Sequence, residues 1–395
     1  MKVDHVTFSK SGGAGLVAGN LVAHQQGLGV EAHLNTLIES NLFNEPLSHP
    51  VITGAAIVDR YVVSNSANDT LFSLYRNRIG ALDKKILERD SILHLHWING
   101  VITSEDLLAV LESGRRVIWT LHDMSAFTGG CHHAHTCQNF EADCSNCPQV
   151  NPFFRKRIEL KKKKDLLPNV YSNLTLVTPT LWMEKRVKAS SRFRDFRVVT
   201  IPNPISEEFL RDINKESSRN KLGIEPDSVV FIAVASNLSD SAKNIEGTVA
   251  AFKALQGWSQ NNHTLLLVGE NGEKFSNPEL KIRWLGQMKP SALAEVAAAS
   301  DWVLSNSVAE SAGMTIAECG ALGVPAIVLD SGGIAEMLLP SQSGLIARND
   351  EEFRSHLMSA GSKLANQETL GEQAKLFART KFSPSAVAQA YVDIY

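Results

Sequence analysis

The sequence predicts an α/β protein in which two Rossmann-like domains, each built on a doubly wound parallel sheet, face each other across a cleft. Three observations carry this. Short, strongly apolar runs alternate with helical patterns along the chain, as parallel strands covered on both faces require. The alternation restarts after "VVTIPNPISEEFL" (198–210), where Pro202 and Pro204 punctuate the chain and a polar stretch follows. The length, 395 residues, exceeds what one ordinary core organises. The expected domains are 1–203 and 204–379.

Composition narrows the function classes. Apolar residues make up 44% and charged residues 21%, which is globular. A net charge of -3 gives no electrostatic reason to expect nucleic acid as a partner. The opening "MKVDHVTFSKSGGAG" reads as a strand meeting a glycine turn rather than a signal peptide, and no apolar run approaches ~18 residues. A cytoplasmic location with reduced thiols is expected.

The first strand is "DHVTF" (4–8). The loop after it, "FSKSGGAG", places Gly12, Gly13 and Gly15 ahead of a helical stretch. A nicotinamide site would need G-x-G-x-x-G and an acid about 20 residues on. The glycine spacing differs and the second strand, "GVEAHLNT", ends in Asn35-Thr36. No organic cofactor is expected. The strands "SILHLHW" (91–97) and "RRVIWTLHD" (115–123) end in His94, His96, His122 and Asp123, which puts these at the cleft edge. His94 and His96 are read as structural, on opposite faces of their strand.

Cys131, Cys137, Cys144 and Cys147 follow in "CHHAHTCQNFEADCSNCP", spaced C-x5-C-x6-C-x2-C. The last C-x-x-C is a zinc half-site, and His132, His133 or His135 can replace a thiolate. Structural zinc, two disulfides and free thiols all fit the pattern, and a reducing compartment favours zinc. Four thiolates leave no open position for a catalytic water, so no catalytic metal is expected. Next, "FFRKRIELKKKKDLL" (153–167) concentrates seven basic side chains at 155–164. It reads as a solvated helix face or as a peripheral contact with anionic lipid. The strand "LTLVTPT" (174–180) closes the first half.

The second half opens with "VVFIAVAS" (229–236), followed by "HTLLLVG" (263–269), "DWVLSNS" (301–307) and "PAIVLD" (325–330). After the third of these come Glu310, a small-residue turn Ser311-Ala312-Gly313, and a helix that stops at Gly323 with Pro325 beyond. The free amides of Gly313, Met314 and Thr315 make an anion site, and the glycine lets a ligand approach the backbone. Glu318 sits about one turn into that helix. Carboxylates accept from sugar hydroxyls, so a ligand carrying phosphates and vicinal hydroxyls uses every piece, as a nucleotide diphosphate sugar does.

The stretch "ESAGMTIAE" resembles the E-x7-E motif of retaining glycosyltransferases with two Rossmann domains, the glycosyltransferase-B (GT-B) architecture. The continuation "ECGALGVPAIVLDSGGIAEML" is similar to that of family four of these enzymes. The resemblance implies that Glu310 contacts hydroxyls of the donor sugar, Glu318 holds the ribose, and the amides at 313–315 take the diphosphate. It implies that Lys243, in "VASNLSDSAKNIEG" (234–247), neutralises the diphosphate. Asn237 stands where the family has an arginine, Ser311 where many relatives have glycine, and Ala312 where they have phenylalanine. Gly12 and Gly13 are placed beside the donor diphosphate and the acceptor. His122 is placed near the reacting centre, with Asp123 orienting it or meeting the acceptor. The reaction implied is transfer with retention to a hydroxyl on a glycan or lipid-linked saccharide, in polysaccharide biosynthesis. There the leaving phosphate helps to deprotonate the acceptor, and the protein supplies alignment and charge stabilisation. A last helix, about 380–395, is expected to cross back to the first domain. A similar cysteine-bearing insertion occurs in some exopolysaccharide enzymes of the family. Other expectations compatible with the sequence are a nucleotide-sugar-binding protein without turnover, which Asn237 favours, and a GT-B epimerase.

Overall fold

The structure is a computed structural model and describes residues 1–38, 72–73, 84–156, 167, 169–258, 262–338, 341–362 and 366–395. The chain divides into two compact units. One is Met1–Pro204 together with Val387–Tyr395, and the other is Ile205–Ala386.

The first unit is built on a six-stranded sheet of β1 (Lys2–Ser9), β2 (Glu31–Ile38), β3 (Ile92–Leu95), β4 (Val117–Thr120), β5 (Leu174–Thr178) and β6 (Arg197–Thr200). Their order is β2-β1-β3-β4-β5-β6, and every pairing is parallel. Side chains alternate between two cores. Val6, Leu93, Leu95, Val117, Trp119, Leu174 and Leu176 enter one of them. Val3, Ile118 and Val177 enter the other, which is completed by Val387, Ala388, Tyr391 and Tyr395 from the end of the chain. Burial on both faces is why these strands read as unbroken apolar runs.

The second unit repeats the plan with β7 (Val229–Asn237), β8 (His263–Glu270), β9 (Ile282–Trp284), β10 (Trp302–Ser305), β11 (Ala326–Leu329) and β12 (Gly344–Ala347). The order β12-β11-β10-β7-β8-β9 is again parallel throughout. Val230, Ile232, Leu266 and Val303 face one core, and Phe231, Leu265, Leu267 and Trp302 face the other. In each sheet the winding reverses beside the first strand, between β1 and β3 and between β7 and β10. Doubly wound sheets take their ligands beyond the carboxyl ends of the strands at that reversal.

His94 and His96 do not lie on opposite faces. Two residues apart, they share a face, as the period of a strand dictates, and their rings stack with centroids 4.3 Å apart. The basic run 155–164 lies mostly outside the described residues. At its leading edge Phe153 is 86% exposed, in a turn capped by Asn151, whose Oδ1 accepts from the Phe153 amide at 3.1 Å.

Candidate active site

In the second unit, the loops after β7 and β10 converge at the sheet reversal. β7 ends at Asn237, and a single turn, Ser241–Lys243, follows. Asp240 caps that turn by accepting from Ala242 N at 2.9 Å, and Asn244 leaves it in the left-handed region. Val308 N donates to Ala242 O at 2.9 Å and ties this loop to the one after β10. The result is a salt bridge in which Lys243 Nζ donates to Glu310 Oε2 at 2.6 Å, with both side chains about one-quarter exposed or less. Burial works against the Lys243 charge, but the Glu310 carboxylate outweighs it and holds the ammonium above its usual range.

The Glu310 backbone is braced from the loop after β11. Its carbonyl accepts from Gly333 N at 2.9 Å. A Cβ on Gly332, at φ +66°, would stand 1.9 Å from that same oxygen. Only glycine permits this approach. Sequence reasoning singled out neither glycine for this role, although "DSGG" directly after a strand is a signal for a close backbone approach.

Gly313 caps the helix Met314–Ala321 at φ +49°, and among the described residues no side chain caps its first turn. A Cβ there would meet Ile334 Cγ1 at 2.7 Å, so the bare backbone is also a packing requirement. One turn further on, the Ser206 amide favours the Glu318 carboxylate, and Glu208 is close enough to oppose its charge. Burial first, then Glu208, push the Glu318 carboxyl up to about 7. Asn237, exposed at the end of β7, turns its Oδ1 to Ser239 N at 3.0 Å and Asn271 Nδ2 at 3.1 Å. Its side-chain amide nitrogen makes no hydrogen bond with a described residue. It brings no charge to the loop, and Lys243 is the cation seated there.

In the first unit the helix Gly12–Gly27 begins directly after β1. Gly12 has φ +79° and Gly13 is exposed, and a Cβ on either would meet nothing within 4 Å. Gly15 is the packing glycine, since a Cβ on it would stand 2.3 Å from Ser9 O. His122 and Asp123 follow β4. Both Asp123 oxygens are engaged: Oδ1 accepts from Ser125 N at 2.8 Å, and Oδ2 pairs with His132 Nδ1 at 2.9 Å. Burial disfavours the Asp123 charge, but His132 and these hydrogen bonds outweigh it and keep the carboxyl ionised. His132, considered in the sequence only as a thiolate substitute, is thus the partner of Asp123, and its Nε2 bonds Ser73 Oγ at 2.7 Å. His122 is held through Nε2 by His96 Nδ1 at 3.1 Å, and burial lowers it to about 4, so it is neutral at pH 7.

The four cysteines form no disulfide and lie within one core cluster of the first unit, with Cys137 at its margin. Burial and the neighbouring thiols push Cys131 up. Their loop holds His135, Cys144 and Asn146 in the left-handed region, a conformation that its surroundings must enforce. The donor set suits zinc in kind. Among the described residues, however, the group of three or more ligand side chains with donor atoms within 4.8 Å of one another is His5, His94 and His96. The cysteine sulfurs are not gathered to that distance.

Residues 214–377 match the family of group 1 glycosyl transferases. That segment contains Asn237, Lys243, Glu310, Gly313 and Glu318, so the geometry of the second unit and the family match coincide. The chain is 24% identical over 196 residues to D-inositol 3-phosphate glycosyltransferase of Rhodococcus opacus, covering 46% of this chain. It spans 44% of the length of that relative. Sucrose-phosphate synthase from Thermosynechococcus elongatus superposes with a TM-score of 0.65 at 15% identity, over 100% of this chain and 98% of the other. HepE from Anabaena, solved with UDP and glucose, superposes with a TM-score of 0.63 at 16% identity, over 100% and 99%. At such identities the likeness is one of fold, that of the GT-B glycosyltransferases: two α/β units, each with a parallel sheet. The group 1 match leaves His122, Asp123, Gly12, Gly13 and the cysteines outside its bounds. No described helix is long and apolar enough to cross a membrane.

Proposed function

We propose that the chain is a retaining family-four glycosyltransferase, moving a sugar from a nucleotide diphosphate sugar to a hydroxyl of a glycan or lipid-linked saccharide. The observation that carries this is the Lys243–Glu310 pair at the β7/β10 reversal beside the open helix start at Gly313, inside the segment that matches group 1 glycosyl transferases. Diphosphate binding falls to Lys243, the amides of Gly313, Met314 and Thr315, and the neutral amide of Asn237. A bond-breaking step that loads charge on the leaving diphosphate gains from each donor aimed at it. Glu318 accepts from the ribose hydroxyls and Glu310 from the sugar. His122 acts near the reacting centre, and Gly12 and Gly13 leave bare backbone for the donor diphosphate or the acceptor. The four cysteines hold a structural zinc that orders their loop, and elemental analysis should find about one zinc per chain.

HepE, a neighbour in fold, is solved with UDP and with UDP-glucose, which makes UDP-sugars the first donors to try. Thermal shift against UDP-, GDP-, ADP- and dTDP-sugars selects the donor, because a ligand bound only by the native state raises the melting temperature. With that donor, Glu310→Ala should keep nucleotide affinity and lose transfer. Unchanged turnover in Glu310→Ala would falsify its assignment. Tight nucleotide binding with no sugar release under any acceptor would make the chain a binding protein instead.

A further inference from the structure

Behind His122 lies a buried hydrogen-bond chain that the proposed chemistry does not yet use. Gln25 Nε2 donates to Tyr395 Oη at 2.8 Å, and Gln25 Oε1 faces His5 Nε2 at 2.8 Å. His5 Nδ1 lies 3.0 Å from His96 Nε2, and His96 Nδ1 lies 3.1 Å from His122 Nε2. Tyr395 Oη also meets His94 Nδ1 at 2.6 Å, and His94 Nε2 meets Thr120 Oγ1 at 2.8 Å. Gln25, His5 and His94 are completely buried, and His96 is 2% exposed. Burial, the largest influence on all four histidines, lowers their proton affinity, so each is neutral at pH 7.

A neutral imidazole has one N–H donor and one acceptor nitrogen. The consequence propagates along the chain. The Gln25 oxygen can only accept, so His5 carries its proton on Nε2 and accepts at Nδ1. His96 must then donate from Nε2 and accept at Nδ1, and His122 must donate from Nε2. At the other end, Tyr395 accepts from Gln25 and gives its one proton to His94. We propose that Gln25, oriented by Tyr395, fixes the tautomer of His122 through His5 and His96, so that His122 offers an unprotonated Nδ1 as a hydrogen-bond acceptor. No described residue bonds that Nδ1. Gln25, Tyr395, His5 and His96 are positioning residues, acting through His122, and the ligand group they select is a hydroxyl that donates a hydrogen bond.

A metal ion on His5, His94 and His96 is the competing use of this cluster. It would take one nitrogen from each ring, and every ring nitrogen of the three is already hydrogen-bonded, so it would have to break a bond at each histidine. None of these three ligands would supply the negative charge that a buried dication needs.

The inference rests on the glycosyltransferase reading only for its use, and its test needs no turnover. Long-range proton–nitrogen correlation on the full chain with 15N-labelled histidine reads each tautomer, with the His122 signals assigned by their loss in His122→Gln. In the wild type His122 should show a protonated Nε2 and an unprotonated Nδ1 as one species. Gln25→Glu, which keeps an acceptor facing His5, should preserve that pattern. Gln25→Leu should give a mixture with at least one-tenth of the Nδ1–H form. If Gln25→Leu does not fold, Tyr395→Phe decides: it frees the amide to turn and should give the same mixture. A single Nε2–H tautomer in a folded Gln25→Leu or Tyr395→Phe protein overturns the inference, as does Nδ1–H in the wild type. Direct coupling between a bound cadmium-113 ion and ring nitrogens of His5, His94 and His96 also overturns it, in favour of a metal. A fixed tautomer without any transfer defeats the functional reading alone, and transfer with a mixed tautomer defeats this inference alone.

Discussion

Glu318 is the residue whose chemistry is most exposed to test. Held at about 7 by burial and by Glu208, it is half-protonated near neutral pH. A carboxylate that accepts from ribose hydroxyls binds best when ionised. Donor affinity should therefore rise with pH and level off above about 7, falling up to tenfold per unit well below it, as one linked proton requires. The nucleotide sugar selected by thermal shift, titrated calorimetrically from pH 5.5 to 8.5, checks this. Glu208→Gln removes the opposing charge and should move the midpoint acid-ward, whereas an unmoved midpoint would detach the shift from Glu208. Lys243→Ala removes the cation paired with Glu310 and should cost about tenfold to a hundredfold in affinity for that nucleotide sugar, the range of one charge-assisted hydrogen bond of about 1.5–3 kcal/mol.

Elements deliver these side chains, and close backbone packing fixes the elements. The helix that carries Glu318 lies against the helix Gln367–Lys381, where a Cβ on Gly371 would stand 2.4 Å from Gly323 O. Gly371→Ala should destabilise the second unit by about 1–3 kcal/mol, the usual cost of overpacking, and weaken nucleotide binding without touching a binding residue. Gly332→Ala forces a side chain at φ +66° into the Glu310 carbonyl. It should cost a similar amount in urea denaturation and lower turnover more than affinity, because it displaces Glu310. Gly13→Ala is the control: a Cβ there meets nothing, so stability should change little.

Two units imply two stability problems, with opposite responses to acid. His5 and His122 titrate near 4 in the folded first unit and near 6.5 when unfolded. Between those values the unfolded chain binds protons that the folded unit refuses. Stability present above pH 6.5 is therefore lost as pH falls, by up to about 1.4 kcal/mol per unit for the fully buried His5. Glu318 in the second unit has the reverse sign, because its folded value is the raised one: stability is greatest below 4.5 and declines as pH rises through about 7. Calorimetry at pH 5 and 7.5 should show the first unit melting lower at pH 5, with less change or the opposite change in the second. Tyr391, fully buried on the His94 face, comes from the last segment of the chain. Tyr391→Ala should cost the first unit about 3–5 kcal/mol, as large aromatic deletions do.

Local pattern alone marked nine of the twelve strands, the restart near 204, and the placement of Glu310, Lys243 and Glu318 on their loops and helix, because strand burial and helix stops are written in neighbouring residues; the short, partly exposed edge strands β6, β9 and β12 carry no such signal. Which of those residues touch was decided by the tertiary fold. The Lys243–Glu310 pair spans 67 positions, the Asp123–His132 pair depends on a loop without regular structure, and the Gln25–Tyr395 bond spans 370. The histidine column shows the division most plainly: four histidines and a glutamine look unremarkable in sequence, and only the parallel pairing of β1, β3 and β4 under the chain's own C-terminal residues stacks them. Hydrogen-bond direction is a property of that stack, since each ring's single proton is assigned by the partner that three-dimensional packing gives it.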